Sequence, residues 1–92
     1  MSKQTPIEEA KNLGPISGAE LRSVGIETLE QLQELGWEEV FERWVEAYPE
    51  RINLNAATAL IGAIEGCDWR QVPVSLKAEA KGLINSYRKS LI

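Results

Sequence analysis

The residues around the Gly14-Pro15 pair have the types and spacing of a backbone phosphate site. A hairpin that runs directly into a helix points free backbone N–H groups outward, at the positive end of the helix dipole. A phosphate can be held there without any base-specific side chain. The candidate contacts, for nucleic acid or for another partner, are Lys11, Gly14, Ile16, Ser17 and Arg22.

The charge around this hairpin opposes binding to nucleic acid. Residues 1–50 carry eleven glutamates against four cations, a net charge of −7, and the residue after the proline is Ile16 rather than a lysine or arginine. Phosphate affinity comes largely from counterions that cations displace, so an acidic hairpin lacks most of this driving force. DNA is therefore a possible partner that the charge disfavours, and the competing interpretation is a purely structural turn.

A second set of candidate residues lies near the C-terminus. Residues 51–92 carry six cations against three carboxylates, a net charge of +3, and Lys77, Lys81 and Arg88 recur at near-helical spacing. Two interpretations stay open: a solvated helix face, or a basic docking strip for acidic protein or phosphate. Membrane binding is disfavoured, because the apolar face of the same helix is needed for the core.

Catalytic chemistry finds little support in the sequence. The chain has one cysteine, Cys67, and no histidine, which excludes cysteine–histidine zinc sites and histidine acid–base catalysis. Cys67 is interpreted as a small residue at a helix end. An acidic strip at Glu38, Glu39, Glu42 and Glu46 suits a solvated face or a basic partner better than a metal. We predict no enzymatic activity, no cofactor and no metal site.

The three tryptophans are candidates for base stacking, although packing is the favoured interpretation for each. Trp44 falls in an apolar helical stripe with Phe41 and Val45, and is expected in the core. Trp69 is expected to fill the corner after a helix end. Trp37, at a helix start, is expected to be the most exposed of the three, although core or rim packing is favoured for it as well.

Helix start and stop signals define the elements that position these residues. Capping boxes are predicted at Thr5–Glu8, Ser17–Glu20 and Thr28–Gln31, with a first helix over 6–12 and glycine stops at Gly25 and Gly36. A helix is then predicted over 37–47, ending before Pro49. The hairpin and the two short helices after it are interpreted as a helix-hairpin-helix unit.

Helix start and stop signals also define the elements of the C-terminal half. A helix capped by Asn53 or Asn55 and ended by Gly66 has enough small residues, Gly62 among them, to be the central one. A capped turn at Asp68 follows, and then a helix that starts near Pro73. Its apolar face comprises Leu76, Ala80, Leu83, Ile84, Tyr87 and Leu91. The prediction is an all-α fold, one small domain of five to six short helices over 1–92, ordered over about 6–90.

The order of these features resembles the C-terminal domain of the TfoX/Sxy competence regulators. The matching segments cover about residues 7–85 and read NLGPISGAEL, VGIETLEQLQELG, ERINLNAATALIGAIEG, DWRQVP and SLKAEAKGL. In that family the domain commonly follows an N-terminal α/β domain, so this chain looks like a stand-alone version. The family is implicated in switching on late competence genes for DNA uptake. The resemblance implies a non-enzymatic regulatory module.

Two functions are carried forward from the sequence. The first is contact with a protein partner, with the transcription machinery as one candidate, in the control of competence genes. The second is sequence-independent binding of the DNA backbone through the hairpin. We expect a cytoplasmic protein without membrane association, because no apolar run approaches the ~18 residues of a membrane span and the N-terminus lacks a signal peptide. A monomer and a homodimer are both compatible with the sequence.

Overall fold

The computed structural model describes residues 4–90, which form a small all-α fold as predicted. Its five α-helices are α1 Pro15–Ser23, α2 Leu29–Leu35, α3 Trp37–Ala47, α4 Leu54–Glu65 and α5 Val74–Ser90. Three 3-10 turns lie at Ile7–Glu9, Pro49–Arg51 and Trp69–Gln71. Residues 4–90 contain no strand beyond a single bridge that joins Pro6 to Thr28. Leu91, predicted for the apolar face of α5, lies outside the described residues.

The helix predicted over 6–12 is wrong, since only the 3-10 turn forms there. Thr5 does not cap it: the Thr5 amide donates to Glu30 Oε1 at 2.7 Å, and the Thr5 carbonyl accepts from the Leu29 amide at 2.9 Å. Pro6 takes an extended conformation to reach Thr28. The backbone of this segment therefore bonds to the start of α2, and its groups are not available for a helix of their own.

The capping box predicted at Ser17 is also wrong. Helix α1 begins two residues earlier at Pro15, with Gly14 as N-cap and no side-chain capping bond. Proline suits the first helical position, because its φ is already helical and its missing N–H would have had no partner there. Gly25, with φ of +92°, follows the last residues of α1 as the predicted left-handed stop.

The remaining boundary predictions are confirmed. The Thr28 hydroxyl accepts from the Gln31 amide at 3.1 Å, and Gln31 Oε1 accepts in return from the Thr28 amide. Helix α3 spans the predicted residues 37–47. Asn53 is the residue that caps α4, and Gly66 ends that helix at φ +74°. In these elements the capping and stop residues act on neighbours within a few positions, and no distant contact competes for the same backbone groups as it does at Thr5.

Helix α4 is the centre of the fold, as predicted. It contacts α2, α3, α5 and the third 3-10 turn, and seven of its residues are buried: Ala56, Ala57, Thr58, Leu60, Ile61, Gly62 and Ala63. At Gly62 the neighbouring chain comes so close that an added Cβ would lie 2.6 Å from the Cys67 carbonyl oxygen. No helix among residues 4–90 combines the length and apolarity needed to cross a membrane.

Candidate functional site

The hairpin leads into α1 as the sequence predicts for a backbone anion site. Gly14 is extended, and the first helical hydrogen bond runs from the Gly18 amide to the Gly14 carbonyl at 2.7 Å. The amides of Ile16 and Ser17 therefore have no backbone acceptor within residues 4–90. The side chain beside them is apolar, since Ile16 is 71% exposed. The hairpin thus offers two donors and one apolar side chain to a partner.

Arg22, a predicted contact residue, is engaged within the protein. Its Nε donates to Glu8 Oε2 at 3.0 Å and its Nη2 to Glu8 Oε1 at 2.9 Å. These hydrogen bonds lower the pKa of Glu8 and raise that of Arg22. Lys11 is exposed and forms no ion pair with residues 4–90. Lys11 is thus the one predicted cation of the hairpin without an ion pair in this part of the chain; its charge acts on Asp68, whose pKa is lowered first by Arg70 and last by Lys11.

A cleft of about 350 Å³ opens beside the hairpin, and we call it the asparagine cleft. It lies between the start of α1, the start of α4 and the third 3-10 turn. Its lining residues are Asn12, Ser17, Trp44, Arg51, Asn53, Asn55, Ala56, Ala59 and Trp69. The sequence does not predict this cleft, because its lining residues come from several separated segments and share no motif.

Asn12 lies at the base of the asparagine cleft and joins three backbone groups. Its Nδ2 donates to the Cys67 carbonyl at 2.9 Å and to the Ala59 carbonyl at 3.5 Å, while its Oδ1 accepts from the Trp69 amide at 3.0 Å. Its own φ is +72°, the left-handed region that asparagine tolerates better than most residues. Asn12 therefore stabilises the fold and has little capacity left for a ligand.

Arg51, on another wall of the cleft, is engaged in the same way. Its Nε and Nη2 donate to the two oxygens of Glu20 at 2.8 and 2.7 Å, and its guanidinium lies 5.6 Å from the Trp44 ring centroid. Trp44 Nε1 also donates to Glu20, at 2.7 Å. The pKa of Glu20 is lowered mainly by the Arg51 hydrogen bond and further by Trp44. These charges compensate each other, so the cleft is polar without being a strong anion site.

The tryptophans differ from the prediction in one respect. Trp44 is 1% exposed and belongs to the core, as predicted. Trp37 is partly buried against Phe41, with ring centroids 6.4 Å apart, whereas Trp69 is 39% exposed. The Trp69 amide donates to Asn12 Oδ1, and the Arg70 guanidinium lies 5.9 Å from the Trp69 ring centroid. The exposed tryptophan is therefore Trp69, not Trp37.

The basic strip of α5 forms a second candidate surface. Lys81 and Arg88 are exposed, Lys77 is partly buried, and none of the three has an ion pair within residues 4–90. A groove of about 180 Å³ lies along this strip, lined by Leu54, Lys81, Ile84, Asn85 and Arg88. The structure thus brings Lys81 and Arg88 together around one groove, which we call the α5 groove. Lys77 does not line it.

The acidic strip of α3 lies close to α5. Tyr87 packs on Phe41 with ring centroids 5.9 Å apart, and its pKa is raised first by burial and then by Glu42, Glu38 and Glu39. Among residues 4–90 no group of three or more cysteine, aspartate and glutamate side chains is arranged to hold a metal ion. The carboxylates of Glu42, Glu38 and Glu39 thus act on Tyr87 near the C-terminal end of α5.

Comparisons with known proteins agree with this fold. The sequence model of the TfoX C-terminal domain matches residues 3–83. The crystal structure of an uncharacterized protein from Listeria monocytogenes is similar to this one, with a TM-score of 0.85 at 27% sequence identity. The match covers 91% of this chain and 94% of that chain. No curated protein matches the chain significantly.

Proposed function

The chain belongs to the TfoX C-terminal domain family, and from this membership we propose that it is a non-enzymatic module that contacts a protein partner in the control of competence genes. The observation that carries the choice of a protein partner is the chemistry of the hairpin. Its exposed side chain is Ile16, and the guanidinium predicted to contact a partner there, that of Arg22, is held by Glu8. The hairpin therefore presents an apolar contact where a DNA-binding hairpin presents a cation.

An exposed isoleucine gains free energy from a protein surface and almost none from a phosphate backbone. Burying one such side chain on binding contributes roughly 1.5–3 kcal/mol. The unpaired amides of Ile16 and Ser17 would add hydrogen bonds to a partner carbonyl or carboxylate. The partner class that best suits the hairpin is thus a protein segment with one apolar side chain and nearby acceptors. A component of the transcription machinery is one such candidate.

The protein-contact proposal is tested by a pair of matched substitutions in the organism that encodes the chain. Ile16→Asp places a charge on the hairpin, whereas Val74→Asp makes a similar change at an 81% exposed valine on α5. We expect Ile16→Asp to lower competence-gene expression about tenfold, equivalent to roughly 1.4 kcal/mol of binding. Val74→Asp should leave expression unchanged. Equal expression with both variants, at equal protein levels, would contradict a contact at the hairpin.

The alternative function is sequence-independent binding of the DNA backbone at the same hairpin. The two unpaired amides and the exposed Lys11 favour it, and the net charge of −4 opposes it. Titration of labelled duplex and single-stranded DNA across a salt series separates the two functions. We expect no binding at low salt, whereas micromolar affinity with a steep negative salt slope would establish the alternative.

A further variant sharpens the DNA experiment. Glu8→Gln removes the carboxylate that holds Arg22 and so adds a free cation to the hairpin. If the hairpin is a phosphate site, this variant should bind DNA more tightly and with a steeper salt slope. For a protein-contact surface we expect the variant to remain without DNA affinity. Glu34→Gln, which changes the charge equally at an exposed position on α2, is the control.

A further inference from the structure

Ion pairing divides the cations of residues 4–90 into two groups. All four ion pairs use an arginine outside α5: Arg22 with Glu8, Arg43 with Glu39, Arg51 with Glu20 and Arg70 with Asp68. The cations of α5 have no such pair. Apart from Lys11, the unpaired positive charge of the described chain is thus concentrated on one helix.

Three of the cations on α5 lie on one face of the helix. At ~100° per residue, Lys77, Lys81 and Arg88 fall within about 40° of each other around α5, whereas Lys89 lies roughly 80° beyond Lys81. The strip runs beside the buried edge of the helix, where Ala80 and Ile84 pack into the core. The α5 groove is therefore lined by Lys81, Arg88 and the polar Asn85, together with the apolar side chains of Leu54 and Ile84, which we call its apolar floor.

We propose that the α5 groove binds an acidic amphipathic segment of a partner protein, with carboxylates against Lys81 and Arg88 and one apolar side chain over Leu54 and Ile84. The inference rests on the proposed function in taking the partner to be a protein, but it uses a surface separate from the hairpin. Charge complementarity is the basis for this occupant, because three aligned cations lack carboxylates within the described chain. Carboxylate contacts of this kind chiefly set specificity and association rate, while the apolar side chain adds affinity.

The dimensions of the strip favour a short peptide segment over a nucleic acid. Lys77 and Arg88 are eleven residues apart, which spans about 16 Å or three helical turns. The acidic strip of α3 lies beside the C-terminal end of α5, where burial and then Glu42, Glu38 and Glu39 raise the pKa of Tyr87. A long polyanion that followed α5 would meet these carboxylates. A phosphate backbone would also leave the apolar floor of the groove unused.

The probe is a fluorescein-labelled helical peptide of about fourteen residues, or four turns. It carries three glutamates on one face, spaced to match the strip, and one leucine next to them. Two variants of the peptide replace the leucine by serine or the glutamates by glutamine. Binding to the full chain is followed by anisotropy at ~50 mM salt, where the Debye length is still above 10 Å. We expect each peptide variant to bind at least about fivefold more weakly than the parent.

A matched pair of substitutions tests the place of binding. Lys81→Glu reverses a charge that lines the α5 groove. Lys89→Glu reverses an equal charge on the same helix, but at a position rotated by about 80° around the helix axis from Lys81. We expect Lys81→Glu to weaken the peptide about tenfold and Lys89→Glu less than about twofold. Thermal unfolding of both variants establishes that the helix is retained. An equal loss in the two variants would overturn the proposal, because it would indicate non-specific attraction.

Three other outcomes would also overturn it. One is a parent peptide that does not bind at all. Another is tighter binding of duplex DNA than of the peptide, lost in Lys81→Glu, which would make the strip a nucleic-acid site. The third is salt-dependent self-association of the chain that the peptide does not displace, seen by sedimentation, which would make a second copy the occupant. DNA binding that Lys81→Glu leaves intact but Lys11→Glu abolishes would instead contradict the hairpin proposal alone.

Discussion

The N-terminal segment and α5 both pack against α4, but they are attached by different chemistry. Asn12 fixes the N-terminal segment through hydrogen bonds to the backbone of α4 and of the turn that follows it. Helix α5 is attached through apolar side chains, with Ala80 and Ile84 buried and Tyr87 against Phe41. In the first region the polar side chain of Asn12 stabilises the fold, and in the second the cations Lys81 and Arg88 face solvent.

This difference indicates which cations of the protein can bind an anionic group of a partner. A count of charges along the sequence treats Arg22 and Arg88 alike, yet Arg22 is bound to Glu8 and Arg88 has no carboxylate within residues 4–90. A guanidinium that already pairs with a carboxylate has its charge largely compensated, so it gains less from a second carboxylate or phosphate than an unpaired cation does. Binding by charge is therefore expected on α5, and binding by apolar contact and backbone amides is expected at the hairpin.

The same substitution at two glycines should have opposite effects in the two regions. At Gly62 of α4 an added Cβ would overlap Asn12 and lie 2.6 Å from the Cys67 carbonyl, whereas at Gly82 of α5 it would meet no atom within 4 Å. Gly62→Ala should lower the free energy of unfolding by about 3 kcal/mol through overpacking. Gly82→Ala should raise it by roughly 0.5–1 kcal/mol, because alanine is the better helix former.

Chemical denaturation followed by circular dichroism measures both variants. If Gly62→Ala were as stable as the wild-type protein, the close approach of the Asn12 segment to α4 would be wrong. The N-terminal segment would then not be packed closely against α4 at Gly62.

Removal of the Asn12 side chain should have the next largest effect. Asn12→Ala leaves the Cys67 carbonyl and the Trp69 amide without their partner and puts alanine at a φ of +72°. The expected loss is about 2 kcal/mol. Asn85→Ala, at an exposed asparagine of α5, should not destabilise the protein. Asn12→Gly separates the two causes, because glycine accepts the left-handed backbone but restores no hydrogen bond.

The sequence predicted the fold wherever a single local signal decides the structure. The Thr28–Gln31 box, the Gly36 and Gly66 stops and the bounds of α3 depend on neighbours within a few residues. The Thr5 box has equally good residues and did not form. Its backbone bonds instead to the Leu29 amide and to the Glu30 side chain. These partners lie far beyond the few residues that a capping pattern covers.

The candidate surfaces depend on the tertiary fold more than the helix bounds do. Spacing alone placed Lys81 and Arg88 on one face of α5, but the apolar floor beneath them includes Leu54 from α4. The asparagine cleft was missed altogether, because Asn12 and Trp69 are joined only by the tertiary fold. The pairing of Arg22 with Glu8 was missed as well, and it changes the interpretation of the hairpin.

The pH dependence of stability distinguishes a partly buried ion pair from an exposed one within the N-terminal region. The Glu20 and Arg51 side chains are 14% and 30% exposed, and the pKa of Glu20 lies below its ordinary value of 4.5 mainly because Arg51 donates to it. A pKa that is lower in the folded state adds stability above the unfolded value and loses it as the pH falls through the folded value. Glu20→Gln should therefore destabilise the protein by about 1 kcal/mol at pH 7, and this difference should shrink below pH 4.5.

Glu8→Gln, in the more exposed pair with Arg22, should change stability far less at either pH. A wild-type advantage over Glu20→Gln that stays constant from pH 7 to pH 3 would mean that the charge of Glu20 does not join α1 to the turn at Arg51, since only a charged contact titrates in this range.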